Sequence, residues 1–155
     1  LKINKNDVRA IGDEDQLKIY DWYAFNANYG TNEEKDFINL LARKFEKLGD
    51  KYENIYIIRN EREIKIHDSQ GRTFEPDFLL FAKQKSMENL TFQVFLEPKG
   101  KHLIKEGAWK LNFLEVIRAN NKTIEFNTDF YRITSIPFYN SNDEKGFEKV
   151  LFEVL

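Results

Sequence analysis

The stretch Phe74 to Gly100, FEPDFLLFAKQKSMENLTFQVFLEPKG, decides how this chain folds. Pro76-Asp77 opens an apolar run from Phe78 to Phe81, Glu97-Pro98-Lys99 closes another from Phe92 to Leu96, and the polar segment Lys83 to Asn89 lies between. Two short runs rich in β-formers, separated by a polar loop, read as two strands of a hairpin. If the loop is centred near Met87, residues whose numbers sum to about 174 face one another, and Asp77 falls across from Glu97.

Directly opposed residues have Cβ atoms about 5 Å apart, close enough for two carboxylates to share one divalent cation. Alternation along the strand puts Lys99 on the face of Glu97, with Pro98 between them pointing away. The same face carries Leu79, Phe81 and Phe95, and the opposite face Phe78, Leu80, Phe92, Val94 and Leu96, so both faces read as buried. Two acids at the rim of a doubly covered sheet repel each other unless a cation or a proton neutralises them. A hard cation such as Mg²⁺, or Mn²⁺ in its place, resolves that conflict.

Upstream, Thr31-Asn32-Glu33-Glu34 is a capping-box pattern, and Phe37, Ile38, Leu41, Phe45 and Leu48 follow at helical spacing until Gly49. Glu34 precedes Phe37, Ile38 and Leu41 by three, four and seven positions, and so lies on the apolar stripe. It is either a cap alone or a third site carboxylate, the latter if this helix covers the Leu79/Phe81/Phe95 floor. Ile55 to Arg59 and Glu63 to His67 read as strands, with Asp68 to Gly71 as a turn. After Gly100, Ile104 to Arg118 reads as an amphipathic helix, Thr123 to Phe126 and Phe130 to Ile136 as a strand pair, and Phe147 to Val154 as a closing helical stripe. Residues 1–30 fit no period for long and read as an extension packed on a domain of residues 31–155, with one short strand near Tyr20 to Phe25.

The order predicts an α/β fold, bordering on α+β, with a mixed β-sheet flanked by helices. The hydrophobic content of 41% is ample for one buried core. The absence of cysteine excludes disulfides and thiolate zinc, and two histidines leave any metal to oxygen ligands. A net charge of −2 argues against gripping nucleic acid by bulk electrostatics but not against cleaving it. Lys101, His102, Lys105 and Lys110 make either a basic surface toward a phosphate backbone or a solvated helix face. Tyr20, Trp22, Tyr23 and Phe25 read as packing of the extension rather than as base-stacking groups, and Trp109 as core. No apolar run approaches a membrane span and no signal peptide begins the chain, so a cytoplasmic location is expected. A start at Leu1 without methionine and an apolar end at Val154-Leu155 suggest a domain of a longer polypeptide.

These groups suit hydrolysis of phosphodiesters without a covalent nucleophile: Asp77 and Glu97 hold a cation, with the Pro98 carbonyl as a further ligand and Glu34 at a second cation or a coordinated water, while Lys99 orients the attacking water. Pro76-Asp77, a gap of about twenty residues, then Glu97-Pro98-Lys99-Gly100 resembles the PD-(D/E)xK nuclease superfamily, with its restriction-endonuclease-like core. More narrowly, Glu34 to Phe37, Phe74 to Phe78 and Phe95 to Gly100 look like the C-terminal endonuclease domain of the restriction (Res) subunit of type III restriction-modification enzymes, over about Thr31 to Ile117. The resemblance implies Mg²⁺-dependent cleavage of duplex DNA, a helicase/ATPase motor on the same full-length chain and a separate modification methyltransferase subunit. The chain has no Walker-type loop, so by itself it is not expected to hydrolyse ATP. The alternatives are a nucleic-acid or protein binding module of the same fold without turnover, and a DNA-repair nuclease.

Overall fold

A computed structural model describes residues 21–24, 30–87, 90–101, 105, 107–126 and 129–155. Helix α1 (Asn32–Lys51) starts at the Thr31 capping box, in which Thr31 Oγ1 accepts from the Glu34 N–H and Glu34 Oε1 accepts from the Thr31 N–H, both at 3.3 Å. The helix runs two residues past Gly49, because the Tyr52 N–H still donates to the Leu48 carbonyl while Tyr52 itself has turned extended. Strand β1 (Tyr52–Arg59) therefore follows with no loop. Its first residues escape a period-2 reading because the register shifts between Glu53 and Tyr56, and Asn54 takes φ +49° there. Asparagine tolerates this left-handed conformation better than most side chains.

The strand expected from Glu63 shrinks to β2 (Ile66–His67), which pairs with β3 (Thr73–Phe74) around the turn at Asp68 to Gly71. Residues before Ile66 are diverted by Asn60, whose side-chain amide donates to the Ile64 carbonyl (2.8 Å) and accepts from its N–H (3.0 Å). Strands β4 (Phe78–Gln84) and β5 (Leu90–Leu96) form the hairpin, and both outrun their apolar cores. Then come α2 (Ala108–Asn120), β6 (Lys122–Phe126), β7 (Asp129–Ser135), a 3₁₀ turn at Ser141–Asp143 and α3 (Glu144–Val154). The beginning expected for α2, at Ile104, lies outside the described residues.

The five-stranded sheet has the order β1-β4-β5-β7-β6, antiparallel except for the parallel pair β5/β7. The fold is α/β with a mixed sheet. In the hairpin, Phe78 faces Leu96 and the ladder continues to Lys83 facing Thr91, the register read from the sequence. Both central strands are buried on both sides, which is why they read as near-continuous apolar runs.

One face is covered by α1 and α3. Phe37 and Leu41 of α1 and Phe147 and Leu151 of α3 join Phe78, Leu80, Phe92, Val94 and Leu96 in the larger core. On the other face α2 brings Leu114 to Phe74, Leu79 and Phe95, with Trp109, Phe113 and Ile117 packed around them half-buried. This corrects the expected docking: α1 does not cover the Leu79/Phe81/Phe95 floor, which belongs to α2. A helix stripe names the side of the helix that is buried, whereas alternation made both faces of the hairpin equally apolar.

Trp22 and Tyr23 are buried in the larger core, where Trp22 stacks on Phe45 at 5.1 Å and Tyr23 makes a parallel bridge with Ile57. The rest of the expected strand there, with Tyr20 and Phe25, lies outside the described residues. Among the described residues no helix is long and apolar enough to cross a membrane.

Candidate active site

One step beyond the last ladder pair of the hairpin, the Asp77 N–H donates to Glu97 Oε2 at 3.2 Å. The backbone here is held from two sides. Asn60 N–H donates to the Asp77 carbonyl at 2.8 Å. Tyr139 N–H donates to the Glu97 carbonyl at 3.2 Å and accepts at its own carbonyl from the Lys99 N–H at 2.8 Å, leaving Pro98 bridged to Tyr139. Asn140 Nδ2 then donates to the Lys99 carbonyl at 2.6 Å. Residues Glu97 to Lys99 thus stay extended past the end of β5, and alternation returns Lys99 to the side of Glu97. Its Nζ lies 3.5 Å from Glu97 Oε1.

A second ammonium reaches the same oxygen. Lys110, from the first turn of α2, places Nζ 3.1 Å from Glu97 Oε1. Glu97 is only 2% exposed, and a carboxylate so buried is tolerable because both oxygens accept hydrogen bonds, two of them charge-assisted.

Asp77 is treated differently. Among the described residues no hydrogen bond or ion pair ends on its carboxyl group. Burial, then the neighbouring Glu97, then Glu34 push that carboxyl well above the usual carboxylate range, while Lys110 and Lys99 pull it back. Both lysines sit on Glu97, so they offset the Asp77 charge only from a distance.

Glu34 approaches from the opposite face. It is buried, its Oε1 serves the capping box, and its Oε2 lies 3.0 Å from Arg59 Nη2, an ion-pair distance without the alignment of a hydrogen bond. Arg59 pairs with Phe78, the residue after Asp77, so this ion pair stands beside the site and its charge is felt there.

The donor set suits a hard cation. Glu97 accepts from the Asp77 N–H and its charge is felt at the Asp77 carboxyl, and no hydrogen bond among the described residues ends on the Pro98 carbonyl. Among the described residues no three or more His, Cys, Asp or Glu side chains form a ready-made metal cage. Mg²⁺ does not require one, since it is usually held by one or two carboxylates together with water and substrate oxygens. Glu34 is committed to Thr31 and Arg59, and it joins such a set only by releasing Arg59.

The sequence placed Asp77, Glu97 and Lys99 in one patch, and the structure brings them together there. It underrated Lys110, read as one of several surface charges. The signal was available: Lys110 precedes Phe113, Leu114 and Ile117 by three, four and seven positions, which puts it on the stripe of α2 that faces the sheet. Lys101 and Lys105 are exposed, Trp109 is half-buried under Arg72, and His102 lies outside the described residues.

An uncharacterized protein of Haemophilus influenzae is 35% identical over 158 aligned positions, which cover 94% of this chain and 33% of that protein. The chain therefore spans about a third of the length of this relative. No solved structure matches it significantly. A family model described as HI_1054_C, C-terminal domain, matches residues 2–153, and the chain belongs to that family.

Proposed function

We propose that this chain is a Mg²⁺-dependent endonuclease domain that hydrolyses DNA phosphodiester bonds. The observation that carries this is the polar cluster at the open end of the hairpin: Asp77 and Glu97 joined through the Asp77 N–H, with two lysines on Glu97 Oε1. It coincides with the residues that resemble the PD-(D/E)xK pattern. A half-buried aspartate with no hydrogen bond or ion pair on its carboxyl among the described residues, and with its charge only partly offset by Lys110 and Lys99, is costly for a scaffold and useful for a cation site.

In this reading Asp77, Glu97 and the Pro98 carbonyl hold Mg²⁺, or Mn²⁺ in its place. When bound, the ion supplies Lewis acidity to the phosphate and to the attacking water. Lys99, 3.5 Å from Glu97 Oε1, orients that water from its place beside the carboxylate and offsets the negative charge that develops on the phosphate. Glu34 keeps Arg59 fixed and contributes negative potential from the α1 side. The substrate is duplex DNA. By the same resemblance the domain is the cleavage module of a type III-like restriction enzyme in the cytoplasm, acting with a helicase/ATPase motor on the full-length chain and a modification methyltransferase subunit. A relative three times as long leaves room for such a motor.

A second reading has one observation in its favour: with Lys99 and Lys110 both on Glu97, that carboxylate is neutralised by protein alone, as in a binding module without turnover. Calorimetric titration of Mg²⁺ and Mn²⁺ into the wild type and Glu97→Ala, paired with a plasmid-nicking assay, separates the two. The nuclease reading expects metal-dependent nicking and a metal isotherm, both lost in Glu97→Ala. Absence of divalent binding in the wild type, with nicking indifferent to Glu97→Ala, would sink it. A binding module instead retains DNA regardless of divalent metal and of Lys99→Ala.

A further inference from the structure

The two lysines on Glu97 are not equivalent. Lys99 arrives by strand alternation, two residues along the same chain segment, at 3.5 Å. Lys110 is delivered by a separate element and stands closer, at 3.1 Å from the same Oε1. It occupies a sheet-facing position of α2, its side chain is 27% exposed, and its ammonium lies 5.2 Å from the centroid of the Phe74 ring. A lysine that served only solubility would project from the outer face of the helix; this one is laid along apolar surface with its charged end aimed at a carboxylate.

Glu97 has little capacity left. Oε2 accepts from the Asp77 backbone, and Oε1 carries both ammonium groups. Oε2 keeps one lone pair on the Asp77 side, but a divalent ion bound there stands close to both ammonium groups on Oε1, and cations gathered on one buried carboxylate repel strongly. Lys99 shares the extended segment of Glu97 and remains beside it in any case. Lys110 comes from a separate element, and its side chain is partly exposed beside the Phe74 ring, so it is the lysine that can turn toward solvent.

We infer that Lys110 is a built-in counter-ion that competes with the divalent cation for Glu97 and, once displaced, presents its ammonium to the DNA phosphate. The inference rests on the nuclease reading and adds an exchange to it: the site is charge-compensated until metal and phosphate arrive together. Lys110 acts on the metal through Glu97, so for metal binding it is a positioning residue.

The test is calorimetric titration of Mn²⁺ and Mg²⁺ without DNA into the wild type, Lys110→Met, Lys110→Arg and Glu97→Ala, with nicking rates measured in parallel at saturating metal. Methionine keeps the apolar stem and removes the competing charge. Lys110→Met is expected to bind metal about three- to tenfold more tightly than the wild type, while its nicking rate falls by roughly tenfold. Lys110→Arg is expected to restore the wild-type metal affinity, which a merely structural role for the stem would not require. Lys110→Met binding metal no more tightly than the wild type, while Glu97→Ala abolishes binding, would overturn the inference and leave the nuclease reading standing. No metal binding by the wild type would overturn both. Thermal melts accompany each variant, and Lys110→Gln replaces Lys110→Met if the latter melts below the assay temperature.

Discussion

The two faces of the sheet are built to different standards. Under α1 and α3 the core is thick: Phe37, Leu41, Phe78, Leu80, Leu96 and Leu151 are essentially inaccessible, and the Phe147 ring meets those of Phe37 and Tyr139 edge-on. Under α2 the core is thin. Four fully buried residues are ringed by half-buried Phe81, Trp109, Phe113 and Ile117, and an open cavity of about 510 Å³ lies beside them, lined by Phe95, Phe113, Ile117 and Ile133 among others. That cavity shares no residue with the carboxylate site. The polar cluster sits at the rim of the thin face, where the sheet ends before apolar cover is complete and a charged group can be buried on one side and reached from the other. The contrast suggests that one face holds the fold while the other is free to carry chemistry.

The same substitution on each face tests this. Leu80 and Leu114 are both fully buried, and Leu→Ala removes the same atoms from each. The cost of such a change depends on how far the surroundings relax into the space left behind. Around Leu80 the neighbours are locked between two helices and three strands, so Leu80→Ala is expected to cost about 4–5 kcal/mol. Around Leu114 the half-buried rings and the adjacent cavity allow collapse, and Leu114→Ala is expected to cost about 2–3 kcal/mol. Urea unfolding of both variants measures the difference. Equal costs, or a larger cost at Leu114, would remove the distinction between the faces.

A smaller effect of opposite sign is expected at the rim. Burial and the charges of Glu97 and Glu34 raise the Asp77 carboxyl, against Lys110 and Lys99, so the folded chain holds that proton more tightly than the unfolded chain. The unfolded chain then binds fewer protons than the folded one over this range, and stability falls as pH rises from the ordinary aspartate value of about 4 toward the raised one. Asp77→Asn abolishes this titration. Without divalent metal it is expected to raise Tm by about 2–4 °C at neutral pH, with no gain below the ordinary aspartate value, where the wild type is protonated in both states. Saturating Mg²⁺ should reverse the order, because only the wild type retains both carboxylates. A variant less stable than the wild type at neutral pH without metal would show that Asp77 is compensated by something other than a cation.

The hairpin register was legible because two apolar runs flank a single polar loop, Lys83 to Asn89, whose centre near Met87 fixes which residues face one another. The capped helix was legible for the same kind of local reason. What escaped was relational. Nothing in the stripe of α1 says which side of an equally apolar hairpin it covers, so the helix was docked on the wrong floor; Glu34 still lies near enough for its charge to raise Asp77, while paired with Arg59. Lys110 escaped because a charged residue reads as solvated until the stripe of Phe113, Leu114 and Ile117 behind it is counted. The beginning of β1 was hidden by the bulge at Asn54, and the reduction of β2 to two residues by the Asn60 clamp, each a backbone irregularity with no periodic signature.

The smallest effect is expected at the acidic rim of the thick face, where Glu33, Asp36 and Glu144 gather beside Arg43. Asp36 is raised there by partial burial, Glu33 and Glu144, with Arg43 opposing, so the arrangement of charges resembles that around Asp77. Its surroundings do not. Arg43 Nη2 is 2.7 Å from Glu144 Oε1, yet the two side chains are 54% and 38% exposed, so water and salt screen their attraction and ordering two long side chains offsets part of it. Arg43→Ala is expected to cost no more than about 0.5 kcal/mol, a cost that shrinks further in high salt. Measured by urea unfolding at low and high ionic strength, a loss of several times that size, insensitive to salt, would mean that this rim is as sheltered as the one at Asp77, and burial would no longer separate a scaffold's acids from those of the candidate site.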